Sequence, residues 1–423
     1  MFRVHVVDLL KADPALGAVA SRPDRPARLG LAVAVAACAS LVATLSIRGV
    51  SCVNLDSLLE DPATFYALLV APGLLALGGL VIALPRIVSG NVAVFVGLLL
   101  LAEVAAWSLA PAPTAIHGEP EAIGGGSFYV RDPALGYVLA PSVTARHRRT
   151  EGERVVYDVI YGIDDRGRRQ TPTTGDERRE SFLLFFGDSN TFGEGLGPTE
   201  TLPSQAGQHA PRYRPYNYGV PGYGPAQLLA QVEKGRIADE VTEREGYAVY
   251  LLIPAHVARV VGSTQVSTGW GRHFSYYTLG EGGELRSNGD FVHARPLTTL
   301  GYYFWTKSSL AAYFGVDLPL RYTAEDYRLS AKILVESSRM LARQIRLRGF
   351  VVVLGQVFNP AQRRVINGTR DALVAEGIAV LDYTALFDAN ERRYRLSELD
   401  YHNSAEANRV LAARLASDLR IGR

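Results

Sequence analysis

A serine can act as a nucleophile only where a substrate can reach it, and the run FLLFFGDSN at 182–190 offers such a place. Its five consecutive apolar residues read as a strand buried on both faces, and Gly187-Asp188-Ser189-Asn190 ends that strand at the mouth of a sheet. Open parallel sheets bind ligands at the carboxyl ends of their strands, where the amides of a following helix point outward. A hydroxyl held there can attack a carbonyl, although Gly-Asp-Ser is also ordinary turn chemistry. The discriminating residues lie near the other end of the chain, in SELDYHNSAEANRVL. Asp400 stands two residues before His402, within reach of Nδ1, which leaves Nε2 free to take a proton from a serine. Ser404 is placed to cap the helix that follows. None of the other seven histidines has an acid positioned that way.

Elements able to bring these two segments together are visible between them. Apolar strand candidates at 182–186, 213–218, 247–253, 351–354 and 378–381 alternate with helical stretches at 226–240, 324–348, 360–376 and 405–419. Short-linked alternation of this kind specifies a parallel sheet covered on both faces, hence a flavodoxin-like three-layer α/β/α sandwich. One connection, 258–322, is long enough to be an insertion, and it is rich in rings: Trp270, Tyr276, Tyr277, Tyr302, Tyr303 and Trp305. Trp270, Tyr302 and Trp305 read as a rim that stacks on sugars, or as part of a hydrophobic cluster beneath a loop. The glycines of GVPGYGP, 219–225, do not form a phosphate loop, because no lysine follows at the required position.

GDSN at 187–190, NYGVPGYG at 217–224 and the final Asp400/His402 pair together resemble the SGNH (GDSL) family of hydrolases over residues 181–423. The resemblance implies Ser189 as nucleophile, His402 as base, Asp400 as the acid that orients it, and the amides of Ser189 and Gly222 as oxyanion donors. Two features depart from the family pattern. The acid precedes the histidine by two residues where the family usually has three, a spacing found in the related alginate acetyltransferase group. The stretch YLLIPAHVARV, where the family supplies an oxyanion asparagine, has none and offers His256 instead.

Composition narrows the setting. A formal charge of +2, with no basic block interleaved with aromatics, argues against a nucleic-acid partner. Cys38 and Cys52 cannot build a disulfide framework, and no His/Cys/Asp spacing suggests a metal, so neither metal nor cofactor is expected. Apolar stretches at 29–47, 65–84 and 92–110 are each long enough to span a bilayer, the third carrying Glu103 and Trp107. Arg3, Lys11, Arg22, Arg25 and Arg28 precede the first span, whereas Asp56, Glu60 and Asp61 follow it. The positive-inside rule then puts the amino terminus in the cytoplasm and everything after 110 outside. The chain so read has three parts: a three-helix membrane anchor at 1–112, a linker and small β-rich segment at 113–180, and the α/β domain at 181–423.

The function expected is that of an extracytoplasmic serine esterase, anchored in the cytoplasmic membrane, that removes O-acyl groups, acetyl above all, from an envelope or exopolysaccharide. The same triad would serve a polysaccharide O-acetyltransferase, and a non-catalytic component of a polysaccharide export complex is the third reading. The partners implied are the acylated polysaccharide, the membrane and other polysaccharide synthesis or export proteins.

Overall fold

The computed structural model describes residues 86–109, 116–117, 119–173 and 179–422, with positions 74–75 and 78–79. The expected span at 29–47 lies outside the described residues, as does most of that at 65–84. The third coincides with a helix, Arg86–Leu109, whose stretch Gly90–Leu109 has a mean hydropathy of 2.2 and is only 6% buried. It is the one helix among the described residues long and apolar enough to cross a membrane. A second compact unit begins at Leu109 and holds the rest of the chain.

In that unit, strands β1 (Ile116–His117), β2 (Glu121–Ala122), β3 (Tyr129–Asp132), β4 (Gly136–Leu139), β5 (Thr144–Glu151) and β6 (Arg154–Gly162) come first. The β3–β4 and β5–β6 pairs are antiparallel, and β1 and β2 add to β5. The main sheet is built from β7 (Ser181–Phe186), β8 (Tyr213–Asn217), β9 (Glu245–Leu252), β12 (Leu347–Leu354) and β13 (Ala379–Asp382), in the order β13-β12-β9-β7-β8. Every pairing in it is parallel. Numbered along the chain, that order reads 2-1-3-4-5 from the β8 edge, the flavodoxin-like winding, whose switch point lies between β7 and β9.

Burial on both faces explains why β7 is apolar throughout. Phe182, Leu184 and Phe186 join one core with the helices Pro225–Glu233, Ala324–Gln344 and Pro360–Ala375. Leu183 and Phe185 point the other way, into a core with Leu202–His209 and Ala405–Asp418. Side chains alternate across a strand, so one unbroken apolar run feeds two cores. The helix expected over 226–240 is interrupted: Gly235, at φ +70°, separates Pro225–Glu233 from Arg236–Glu240. That left-handed conformation suits glycine and stops the helix.

The insertion is ordered. It contains helices Thr264–Thr268 and Pro296–Thr306 and an antiparallel hairpin of β10 (Ser275–Leu279) and β11 (Leu285–Asp290). Its rings divide between core and surface. Tyr277 and Tyr303 are buried, Tyr276 lies against Phe291, and Trp270 and Trp305 are exposed. A third hydrophobic cluster joins Phe128, Leu139 and Tyr161 of the β-rich segment to Phe192, Val220, Phe274 and Phe291. The β-rich segment therefore shares a core with both the nucleophile turn and the insertion.

Candidate active site

The turn after β7 is shaped by steric necessity. Gly187 has φ +147°, and a Cβ there would come within 2.4 Å of the Thr191 hydroxyl oxygen and 3.1 Å of the Leu251 carbonyl oxygen. Asp188 caps the short helix Ser189–Phe192 by accepting from the Asn190 amide, and Gly193, left-handed at φ +82°, ends it. Ser189 thus occupies a first helical position, where an amide has no acceptor within the helix.

The Ser189 hydroxyl is 2.8 Å from His402 Nε2, and His402 Nδ1 is 2.6 Å from Asp400 Oδ1, which also accepts from the His402 amide at 3.1 Å. The fold therefore brings together the serine, histidine and aspartate singled out in the sequence. Asn190 ties the two loops: its Oδ1 accepts from the Asn403 amide at 3.2 Å and from Gln356 Nε2 at 3.3 Å. The three residues open onto a cleft of about 580 Å³ whose wall includes Arg149, Arg259, Gln356, Phe358 and Tyr401.

The charges around His402 are unusual. Asp400 is buried, yet its carboxyl stays below the ordinary range, because His402 and the nearby Arg149 charge outweigh the cost of burial. Arg149, from β5, stands 3.0 Å from Asp400 Oδ2 on the side away from the imidazole. Glu194 lies 3.9 Å from His402 Nε2. Burial pulls the imidazole down, but Glu194 and Asp400 more than offset this and raise it to about 9. Neither Arg149 nor Glu194 is conspicuous in the sequence; Arg149 becomes a neighbour only through the packing of β5 against the loop that carries Asp400 and His402.

Gly222 sits at φ +87°, and a Cβ there would meet the Tyr137 hydroxyl at 2.3 Å and the Trp270 ring at 3.0 Å. Asn217 holds this loop to the nucleophile turn by donating to the Thr191 carbonyl at 3.0 Å and accepting from the Gly219 amide at 3.0 Å. Trp270 is thus beside Gly222 and Trp305 donates its indole N–H to the Val316 carbonyl, but none of Trp270, Tyr302 and Trp305 lines the cleft with Ser189. The expected three-residue rim is therefore not part of the wall of this cleft.

His256 requires a correction. It is fully buried behind the nucleophile turn, its Nδ1 lies 3.0 Å from the Tyr250 hydroxyl, and its Nε2 faces Asp188 Oδ2 at 3.5 Å. Burial holds it below the usual histidine range. Both nitrogens are turned toward the interior, so it has no N–H to offer an oxyanion.

Arg259, one helical turn further on, does reach the cleft. One of its terminal nitrogens donates to Asp188 Oδ2 at 2.9 Å and to the Tyr223 carbonyl at 2.6 Å, joining the residue before Ser189 to the residue after Gly222. Burial would raise Asp188, but Arg259 and His256 keep its carboxyl far below the normal range. Arg259→Met leaves that buried charge without its cationic partner and is expected to cost about 3–5 kcal/mol of stability. Thermal and denaturant unfolding measure it, and a change under 1 kcal/mol would show that the pair is not a clamp.

A flavodoxin-like α/β sandwich with a hydrogen-bonded serine, histidine and aspartate at the carboxyl edge of its sheet is the class of protein defined here. No family model and no curated protein matches the chain. Among solved structures it is similar to a lipolytic G-D-S-L family protein from Veillonella parvula, at 12% identity over 56% of this chain and 97% of that one, with a TM-score of 0.33. It is also similar to an aryl esterase from M. smegmatis, at 10% identity over 57% and 98% of the two chains, TM-score 0.33. A third is Est24, a carbohydrate acetylesterase from Sinorhizobium meliloti, at 9% identity over 57% and 98%, TM-score 0.32.

Proposed function

We propose that this chain is a membrane-anchored serine esterase of SGNH type that removes acetyl or similar O-acyl groups from an envelope polysaccharide on the outer side of the cytoplasmic membrane. The hydrogen-bonded series Ser189, His402, Asp400, open to a cleft, carries the reading. Ser189 Oγ attacks the ester carbonyl as His402 Nε2 takes its proton, and ionised Asp400 steadies the imidazolium through Nδ1. The amides of Ser189 and Gly222 receive the oxyanion. Collapse of the tetrahedral intermediate expels the alcohol, which takes the proton from His402 and leaves an acyl-serine. Water, deprotonated by the same nitrogen, then releases the carboxylate and restores the hydroxyl.

The amides of Gln356, Asn359, Gln362 and Asn390 in the cleft wall favour a hydroxyl-rich leaving group over a fatty chain. The apolar, outward-facing Gly90–Leu109 supports an anchor. The charge bias before the first apolar stretch supports the orientation.

Product analysis with a chromogenic acetyl ester, with and without an oligosaccharide acceptor, tests the reaction. Free acetate as the only acyl product is the expected outcome. Acetylated oligosaccharide would replace hydrolysis with transfer, and no turnover of any ester would leave the non-catalytic reading.

A further inference from the structure

Outside the serine cleft, the insertion brings His273, Asp290 and His293 together at the base of the β10–β11 hairpin. His273 Nδ1 lies 3.1 Å from one oxygen of Asp290, and His293 Nδ1 lies 2.5 Å from the other. One nitrogen from each histidine and one carboxylate oxygen all fall within 4.8 Å of one another, and the two rings stand 6.2 Å apart, tilted by 41°. Ligands at about 2.0–2.1 Å on a tetrahedral zinc ion are roughly 3.3 Å from each other, so small rotations of the two rings would complete the geometry.

The arrangement is held from below. Phe274, next to His273, and Phe291, next to Asp290, are both fully buried and belong to the same hydrophobic cluster. Ser275 faces Asp290 across the hairpin, and Asp290 caps Phe291–Ala294, which sets His293 one helical turn away. All three donors also line a cavity of about 720 Å³ that contains Asp132 and Glu233, with Arg131 the charge of opposite sign. Imidazole with carboxylate is a donor set for zinc and its first-row neighbours.

We propose that His273, Asp290 and His293 form a binding site for a divalent transition metal of the zinc class, which clips the two ends of the hairpin and leaves a fourth position open to the cavity. The site shares no lining residue with the serine cleft and does not depend on the esterase reading. The spacing 273, 290, 293 conceals it in the sequence, because only the pairing of β10 with β11 joins the first position to the other two.

The test uses the full-length, tag-free protein in detergent, stripped with a chelator and titrated with Zn²⁺ by calorimetry and with Co²⁺ by visible absorption. One equivalent of each metal is expected to bind, Co²⁺ giving the intense bands of four- or five-coordination. His273→Ala should lose that equivalent, and Asp290→Asn, which keeps the helix cap, should weaken it at least tenfold. Thermal unfolding of each metal-free variant, followed by circular dichroism, checks its fold without involving the metal or Ser189. Absence of binding to the wild type above the level of a variant combining His273→Ala, Asp290→Asn and His293→Ala, or equal binding by wild type and Asp290→Asn, would overturn the site.

Discussion

Replacing Ser189 with alanine should reduce ester hydrolysis by about 10⁶-fold in kcat and abolish covalent labelling by a fluorophosphonate. The size follows from the geometry. His402 Nε2 has one partner in position to give up a proton toward a carbonyl, the hydroxyl 2.8 Å away, and without it the cleft retains only binding and the oxyanion amides. Asp400→Asn should leave the loop in place, since an amide oxygen can still accept from the His402 amide, while kcat falls by about 10⁴-fold because the imidazole loses its anionic partner at Nδ1. Ser189→Ala should unfold close to the wild-type temperature, which separates a catalytic from a structural role, whereas Asp400→Asn also strips Arg149 of its anionic partner and should unfold at a lower temperature. Labelling that survives in Ser189→Ala, or hydrolysis within tenfold of wild type, would remove Ser189 as the nucleophile.

The second large effect is on pH dependence. A base that must be neutral to accept a proton works only above its own pKa, and His402 is raised to about 9. The imidazolium form therefore dominates at pH 7, and kcat/KM should climb about fiftyfold between pH 7 and 9 and level off only above about pH 10. Glu194, 3.9 Å from Nε2, is the largest source of the upward shift, so Glu194→Gln should move the midpoint toward the ordinary histidine value and raise the rate at pH 7. The sign is fixed by charge: a carboxylate beside Nε2 stabilises the protonated ring, and removing it releases the proton at lower pH. A wild-type profile flat from pH 6 to 9, or a midpoint unmoved in Glu194→Gln, would remove Glu194 from this role.

Local chemistry made part of this legible from the chain alone. Phe182 to Phe186 had to form a doubly buried strand, because an unbroken apolar run has no solvent face, and Gly187 had to end it. The alternation of strands and helices specified the parallel sandwich, since each element's apolar pattern states how many faces it buries. Asp400 and His402, two residues apart in one loop, carry their own contact in the spacing. What depended on distant segments was hidden. Arg149 stands beside Asp400 because β5 packs on a loop about 250 residues further on, and Glu194 faces His402 only once the two ends of the domain meet.

His256 and Arg259 show the same division within one short helix. Both lie in the stretch where an oxyanion donor was expected and both face Asp188, but helical geometry buries His256 in the core while Arg259 also reaches the cleft. By itself the sequence determined the strand, the turn and the histidine–aspartate pair, because those rest on neighbours in the chain. The tertiary structure alone decided which charges surround them and which of the insertion's side chains meet, because such contacts depend on how separately formed elements pack.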